Sequence, residues 1–262
     1  YLRYMGLKPN IYSTRDIGKT KRLLNNYLQD GGFPEVQKYG QRIVKQIYED
    51  IIYKDIIRRY KIKYTATFNE LIRLLISSYS KEFSFNKIKN ILNVKSVHTI
   101  KNYADYAENS FLIFIIKRYS PKLKEQIIAP KKVYLVDHSL STLTFTLSEN
   151  IGRIYENVVA VELQRRKSYT EDDFELFYWK DSRGYEVDFI IKRKNNVDQL
   201  IQVCYDLSDI NTKIRETEAL LRARKELGCK NLLIITGDYE STEQIKGKNI
   251  KYIPLWKWLL QP

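Results

Sequence analysis

The sequence predicts a mixed chain, α+β passing into α/β, with helices first and a sheet after them. Two observations carry this. Up to about residue 109 the apolar residues recur at helical spacing. From Glu175 onward, short runs rich in β-branched and aromatic residues alternate with one long helical stretch, and Leu232-Leu233-Ile234-Ile235 has the continuous apolar character of a strand buried on both faces.

In chain order, Thr20 to Gln29 places Leu23, Leu24, Tyr27 and Leu28 on one helical face, and Asp30-Gly31-Gly32-Phe33-Pro34 stops that helix. Gln41 to Tyr60 reads as a second amphipathic helix, its stripe made by Ile43, Ile47, Tyr48 and Ile51 and widened by Ile52 and Ile56. Phe68, Leu71, Ile72, Leu75 and Ile76 outline a third. Ser84 caps a short helix that buries Phe85, Ile88, Ile91 and Leu92, and Ser96 caps another that runs to about Asn109. Strand-like runs follow at Leu112 to Tyr119 and Lys132 to Val136, and the basic, Pro-containing stretch Ser120 to Lys131 reads as a hairpin loop between them. Three helices, strand, loop, strand is the order of a winged helix-turn-helix. Beyond it come a helix from Asn150 to Arg166, strands at Glu175 to Trp179, Glu186 to Ile191 and Leu200 to Tyr205, and a helix from Asn211 to Leu227. A strand at Asn231 to Thr236 and a last one at Ile250 to Ile253 complete the order, with Trp256 and Trp258 sealing the sheet. No internal repeat or low-complexity segment interrupts the chain.

The 262 residues leave room for about two domains. A hydrophobic content of 44% supports real cores and excludes wholesale disorder. The longest strongly apolar run, Phe111 to Ile116, falls far short of the roughly 18 residues a membrane span needs, so no membrane partner is expected. Two cysteines, Cys204 and Cys229, make no disulfide framework and point to a reducing cytoplasm. The first residue is Tyr rather than Met, as expected of a piece of something longer. The formal charge is +14, and residues 1–140 carry all of it, while 141–262 sum to zero. A charge excess confined to one part of the chain is the electrostatic footprint of a polyanion, so DNA is the expected partner.

Gly18-Lys19-Thr20 has the ending of a phosphate-binding loop, but Ser13 stands where the first glycine belongs and Leu7 to Ile11 is no buried strand, so it reads as a helix start. His98 and His138, the two histidines, lie in no Cys/His cluster, which argues against zinc. Lys95, Ser96, His98, Thr99, Lys101 and Asn102 gather at the first turns of the helix that Ser96 caps, where short polar and basic side chains suit phosphates and base edges. A winged helix used only for protein packing fits the same residues. Glu156 on a helix, Asp188 on a strand and Gln202 on the next strand form the sharpest constellation. Alternation puts Asp188 on the face of Glu186 and Ile190. Such a set suits a hard cation with oxygen ligands, Mg²⁺ above all. Spacing alone favours a polar cluster at the end of a sheet, satisfied by backbone and water.

The order and spacing of several short stretches resemble the C-terminal portion of archaeal and bacterial AAA+ ATPases, which carries a domain of unknown function similar to PD-(D/E)XK nucleases. The matching stretches are Tyr27-Leu28, Gly31 to Val36, Asp55-Ile56, Val133 to Asp137, Gly152 to Asn157, Tyr178-Trp179, Glu186 to Phe189 and Ile201 to Val203. The resemblance implies an end-of-lid helical segment over 1–62, a winged helix over 63–140 and a restriction-endonuclease-like αβββαβ domain over 141–262. ATP would bind only to an ATPase core preceding residue 1. The nuclease pattern expects a helix Glu, a strand Asp and then Glu-x-Lys. Glu156 and Asp188 fit it, Gln202 replaces the second acid, and Cys204 replaces the Lys. Cysteine supplies no fixed positive charge for phosphodiester cleavage, and Lys180, Lys192 or Lys213 would have to substitute. The resulting expectation is a DNA-binding or regulatory region with a degenerate, inactive nuclease-like site. The alternatives are a divalent-metal-dependent nuclease and a protein-interaction platform that packs on the ATPase core or another partner.

Overall fold

A computed structural model describes residue 1 and residues 5–6, 13–144, 151–169 and 173–261. The stretch Leu7 to Ile11 and the helix start at Asn150 lie outside the described residues. The architecture is mixed α/β, helices followed by a large mixed sheet, and divides into two compact units. The first comprises Tyr1–Ser77, Ile88–Phe114 and Leu135–Glu149. The second comprises Ser78–Lys87, Ile115–Tyr134 and Asn150–Pro262.

The first unit is helical. Helix α1, Thr14–Asp30, begins six residues before Thr20 because Ser13 caps it, its Oγ accepting from the Asp16 amide at 3.3 Å. Gly18-Lys19-Thr20 therefore lies inside a helix. Gly31 ends α1 with φ +83°, a conformation that glycine adopts without strain. Pro34 then opens a short helix the sequence reading passed over, α2, Pro34–Tyr39, at a position that needs no amide donor. The expected helix from Gln41 to Tyr60 is one helical run with a change of winding. An α-helix α3, Arg42–Asp50, continues as a π-helix over Ile51–Arg58, with Val44, Ile52 and Ile56 buried along it. Helix α4, Thr65–Ser77, buries the five apolar residues its periodicity marks. Helix α5, Phe85–Ile91, buries Ile88 but leaves Ile91, expected inside, exposed. Helix α6, Val97–Asn109, starts at Ser96, whose Oγ accepts from the His98 amide at 3.2 Å. The α1 end is locked to a 3₁₀ segment, His138–Leu143. The Gly32 amide donates to Asp137 Oδ2 at 2.6 Å, and His138 Nε2 bonds the Tyr27 carbonyl at 2.8 Å.

The second unit is built on a nine-stranded sheet in the order β1-β3-β2-β4-β5-β6-β7-β9-β8. Its strands are β1, Lys81–Phe83; β2, Ile113–Arg118; β3, Lys131–Leu135; β4, Glu175–Lys180; β5, Glu186–Arg193; β6, Asn196–Cys204; β7, Leu232–Thr236; β8, Ser241–Ile245; and β9, Lys248–Pro254. Two of these, β1 and β8, are absent from the sequence reading. The stretch expected as a plain hairpin loop contains helix α7, Leu123–Ile128, started by the pairing of Ser120 with Glu125 at 2.7 Å. Strands β4, β5 and β6 form an antiparallel meander, and β6, β7 and β9 run parallel. Helix α8, Ile151–Tyr169, precedes the meander, and α9, Ile210–Leu227, connects β6 to β7. Asp209 caps α9 and Gly228 ends it in the left-handed conformation. The α9 residues Ala219, Leu220 and Ala223 pack with Val187, Ile190, Leu200, Ile234 and Tyr252 in one core cluster. Each large apolar side chain there contributes about 1.5–3 kcal/mol over exposure. Helix α10, Leu255–Trp258, closes the chain with both its tryptophans buried, and the Arg166 guanidinium lies 4.3 Å from a Trp258 ring.

Candidate functional site

Strand β3 is buried along its whole length although it contains two lysines. A buried lysine needs partners, and each finds them differently. Lys131 Nζ donates to the Ile127 and Ala129 carbonyls at 2.8 and 2.7 Å. Lys132 Nζ meets three carboxylates: Glu186 Oε1 at 2.6 Å, Glu156 Oε1 at 2.9 Å and Asp188 Oδ1 at 2.9 Å. Neither lysine is available to a phosphate, so part of the basic excess counted over residues 1–140 is internal.

The cluster requires a curled sheet. Strands β2 and β4 stand between β3 and β5, and three steps of about 4.8 Å are more than side chains standing perpendicular to a flat sheet could bridge. The curl is seen again where the Tyr178 hydroxyl of β4 reaches Glu82 of β1 at 2.9 Å and the Pro130 carbonyl at 2.7 Å. Around the lysine, the Tyr134 hydroxyl donates to Glu156 Oε1 at 2.7 Å, and Lys180 bridges Glu82 and Glu186 at 2.5 and 3.0 Å.

Glu156, Asp188 and Gln202 are close in space but do not converge on one point. Lys132 Nζ lies between the Glu156 and Asp188 carboxylates. The second oxygen of Asp188 accepts the Val203 amide at 3.0 Å. The Gln202 side-chain oxygen accepts the Asp188 amide at 3.1 Å, and its NH₂ donates to Glu216 Oε2 at 2.6 Å. Among the described residues no group of three or more His, Cys, Asp or Glu side chains is arranged to hold a metal ion. This donor set does not fit Mg²⁺: the Lys132 ammonium already stands between its two carboxylates, and its amide oxygen is spent on the backbone.

The electrostatics follow from this geometry. Burial alone would favour loss of the Lys132 proton, but Asp188 and then Glu156 hold it well above the usual lysine range. Burial, followed by the charge of Asp188, pushes Glu156 up to about 7 against the pull of Lys132 and Tyr134. Burial also raises Asp188, with Lys132 opposing. Burial works against ionised Glu186 too, but Lys132 and Lys180 outweigh it and hold that carboxyl below its ordinary value.

Cys204 is buried, its thiol bonded to the Asp206 carbonyl at 3.2 Å and pushed up to about 12 by burial and then by Glu216. It is neither a thiolate nor a cation. Of the three lysines named as substitutes, Lys180 reaches only the outer acid of the cluster, Glu186, at 3.0 Å, while Lys192 pairs with Glu175 at 2.6 Å and Lys213 with Glu243 at 2.6 Å, away from the cluster. The lysine that does meet the acids is Lys132, and the sequence reading did not single it out. Its signal was a charged residue directly before the apolar run Val133-Tyr134-Leu135. A cleft of about 440 Å³ opens beside Asp188 and Gln202, with Arg183, Glu186, Arg215 and Glu216 in its walls.

At the start of α6, Lys95, Ser96 and His98 are exposed, while Thr99, Lys101 and Asn102 are half-buried. His138 is buried against Tyr27 and takes no part in a metal site.

Residues 21–150 match the family described as "Domain of unknown function (DUF8612)", and residues 151–258 match "Domain of unknown function (DUF4143)". The second is found C-terminal to AAA ATPase domains in some families. The chain is 37% identical over 264 residues to an uncharacterized protein, MJ1544, of Methanocaldococcus jannaschii, an alignment covering 95% of this chain and 58% of that protein. It is 30% identical over 249 residues to an uncharacterized protein of Haemophilus influenzae, covering 92% of this chain and 58% of that one. The chain thus spans somewhat more than half the length of both relatives. No solved structure matches it.

Proposed function

We propose that the chain is a DNA-binding, non-cleaving C-terminal region of an AAA+ type ATPase, combining a winged helix with a nuclease-like unit that has lost its chemistry. The order α4, β1, Phe85–Ile91, α6, β2, α7, β3, with β1, β3 and β2 adjacent in the sheet, supports the winged helix. The order α8, β4, β5, β6, α9, β7, with an acid on α8 and another on β5, supports the nuclease-like reading. The observation that carries the non-cleaving reading is Lys132, whose ammonium sits among Glu156, Glu186 and Asp188 and pairs with all three from a position only 2% exposed. Both oxygens of Asp188 and both of Glu186 already have partners, and a lysine this deeply buried cannot reach a phosphodiester. The matched DUF4143 segment and the relatives' greater length support an upstream ATPase core as the partner.

The test is a mobility shift and a cleavage assay on the same samples. Plasmid and a labelled short duplex are incubated with the protein and Mg²⁺ or Mn²⁺ across a salt series, beside Asp188→Ala. The expected result is a shift that weakens steeply with salt and no cutting. Metal-dependent cutting abolished by Asp188→Ala would make the chain a nuclease. Absence of any shift would leave a protein-interaction platform.

A further inference from the structure

The exposed cations of the first unit are not spread evenly. The segment from Tyr53 to Tyr64 contains Lys54, Arg58, Arg59, Lys61 and Lys63 against one carboxylate, Asp55. Lys54 pairs with Asp50 at 2.8 Å. Arg58, Arg59, Lys61 and Lys63 are all exposed, and among the described residues none of them meets a carboxylate. Two tyrosines bound the segment with their rings in water, Tyr53 at 56% and Tyr64 at 72% exposure.

The backbone holds these groups in a defined array. Tyr53 and Arg58 are five residues apart in the π-helix, where the i to i+5 bonding pattern stacks such residues on one face, and Lys54 and Arg59 repeat the spacing. After the helix, Lys61 turns the chain with φ +51°, and the Ile62 amide bonds the Ile57 carbonyl at 3.1 Å. Ile62 is buried, which turns Lys61 and Lys63 outward on either side of it. Tyr60 stacks on Tyr106 of α6, ring centroids 3.9 Å apart and planes 9° apart, so the turn is pinned to that helix. A row of cations that make no ion pair among the described residues, bounded by exposed aromatic residues on an ordered backbone, matches a flexible polyanion that offers unpaired bases between its phosphates. A duplex presents the phosphates but not the base faces.

We propose that Tyr53, Arg58, Arg59, Lys61, Lys63 and Tyr64 form a binding strip for single-stranded nucleic acid, the cations tracking phosphates and the two tyrosines stacking on bases. This rests on the nucleic-acid reading above and deepens it. The strip is distinct from the start of α6, the surface the sequence suggested.

The test is fluorescence anisotropy of the full chain with labelled oligo-dT, oligo-U and a duplex of the same length, across a salt series. Variants are the fourfold Arg58→Ala/Arg59→Ala/Lys61→Ala/Lys63→Ala, Tyr64→Ala, Tyr64→Phe and Lys95→Ala/Lys101→Ala, each checked by circular dichroism. The wild type is expected to prefer the single strands. The fourfold variant should flatten the log–log salt slope on them by about 3. Tyr64→Ala should weaken single-strand binding by on the order of tenfold while Tyr64→Phe, which keeps the ring, does not. Tight single-strand binding that survives the fourfold change, or that is lost instead in Lys95→Ala/Lys101→Ala, overturns the strip and leaves the nucleic-acid reading standing. Equal affinity for the duplex with no effect of Tyr64→Ala overturns the stacking role. No binding of any oligonucleotide by the wild type overturns the nucleic-acid reading itself.

Discussion

In the first unit Arg58, Arg59, Lys61 and Lys63 are exposed and make no ion pair among the described residues, whereas in the second Lys132, Lys180, Lys213, Arg215 and Lys257 each hold at least one carboxylate. The ion pairs seen in the first unit, Lys45 with Glu49 and Lys54 with Asp50, are exposed i,i+4 contacts on one helical run. Charge serves two purposes in these regions. Cations without internal partners are a surface for an external anion and contribute little to folding. Cations buried among carboxylates hold strands together and are silent toward ligands, because removing either partner strands the other in a low-dielectric interior.

The contrast predicts its largest effect at Lys132. Lys132→Met leaves Glu156 and Asp188 facing each other without a counter-charge, Glu186 keeping only Lys180, and should cost the second unit about 3–5 kcal/mol. All three tryptophans, Trp179, Trp256 and Trp258, belong to that unit, so urea titration followed by tryptophan fluorescence reads it separately from the helical one. Adding Glu156→Gln and Asp188→Asn to Lys132→Met should recover much of the loss, because the charges that lacked a partner are then gone. A single variant as stable as the wild type would show that the cluster is solvated rather than buried.

That cluster also marks where the sequence stops being legible. Helix caps were readable because they are local: Ser96 and Gly228 each act on a backbone within a few residues. So were strands β5 and β7, whose apolar patterns are strong. Strand β8 was not. Ser241-Thr242-Glu243-Gln244-Ile245 is an edge strand with a polar face, and its hairpin signal lay in Lys246-Gly247, both at positive φ. The Glu156 and Asp188 pair was readable as two acids in the right order, with Glu186 on the Asp188 face. What joins them was not, because Lys132 comes from 24 and 56 residues away and reaches them through a curl in the sheet that no periodicity encodes. The strip from Tyr53 to Tyr64 was visible as charge but not as a site, since a π-turn sets which of its residues share a face.

A smaller effect tests the first unit, which is held by backbone geometry where the second is held by ions. Gly31 combines a left-handed φ with a close approach, and a methyl group there would strike Asp137 and Ser139, both engaged in locking α1 to the 3₁₀ segment. Gly31→Ala should therefore cost about 3 kcal/mol, read by hydrogen exchange of α1 amides. Tryptophan fluorescence should report an unchanged second unit. An equal loss in both signals would break the separation on which the comparison rests.

Mild acid gives the smallest and most selective contrast, because it should move the two units in opposite directions. His138 is buried with Nε2 on the Tyr27 carbonyl, and burial depresses its pKa below the ordinary value although Asp137 and that carbonyl oppose the shift. Between the depressed value and about 6.5 the unfolded chain takes up a proton that the folded unit refuses, so the first unit loses stability as pH falls. Glu156 has the reverse sign. Its pKa rises to about 7 on folding, so between about 4.5 and 7 the folded unit holds a proton that the unfolded chain releases. Stability from this source is full below the unfolded value and lost as pH climbs through 7. Carboxyls held below their ordinary values, such as Glu186, titrate under this window and do not obscure it. Lowering pH from 7.5 to 5.5 should stabilise the second unit by about 1–2 kcal/mol by tryptophan fluorescence. The same step should speed hydrogen exchange in α1. Glu156→Gln should flatten the first response and leave the second. If Glu156→Gln leaves the fluorescence-detected pH dependence intact, the proton sits elsewhere in the cluster, and Asp188, whose carboxyl burial also raises, is the residue to neutralise next.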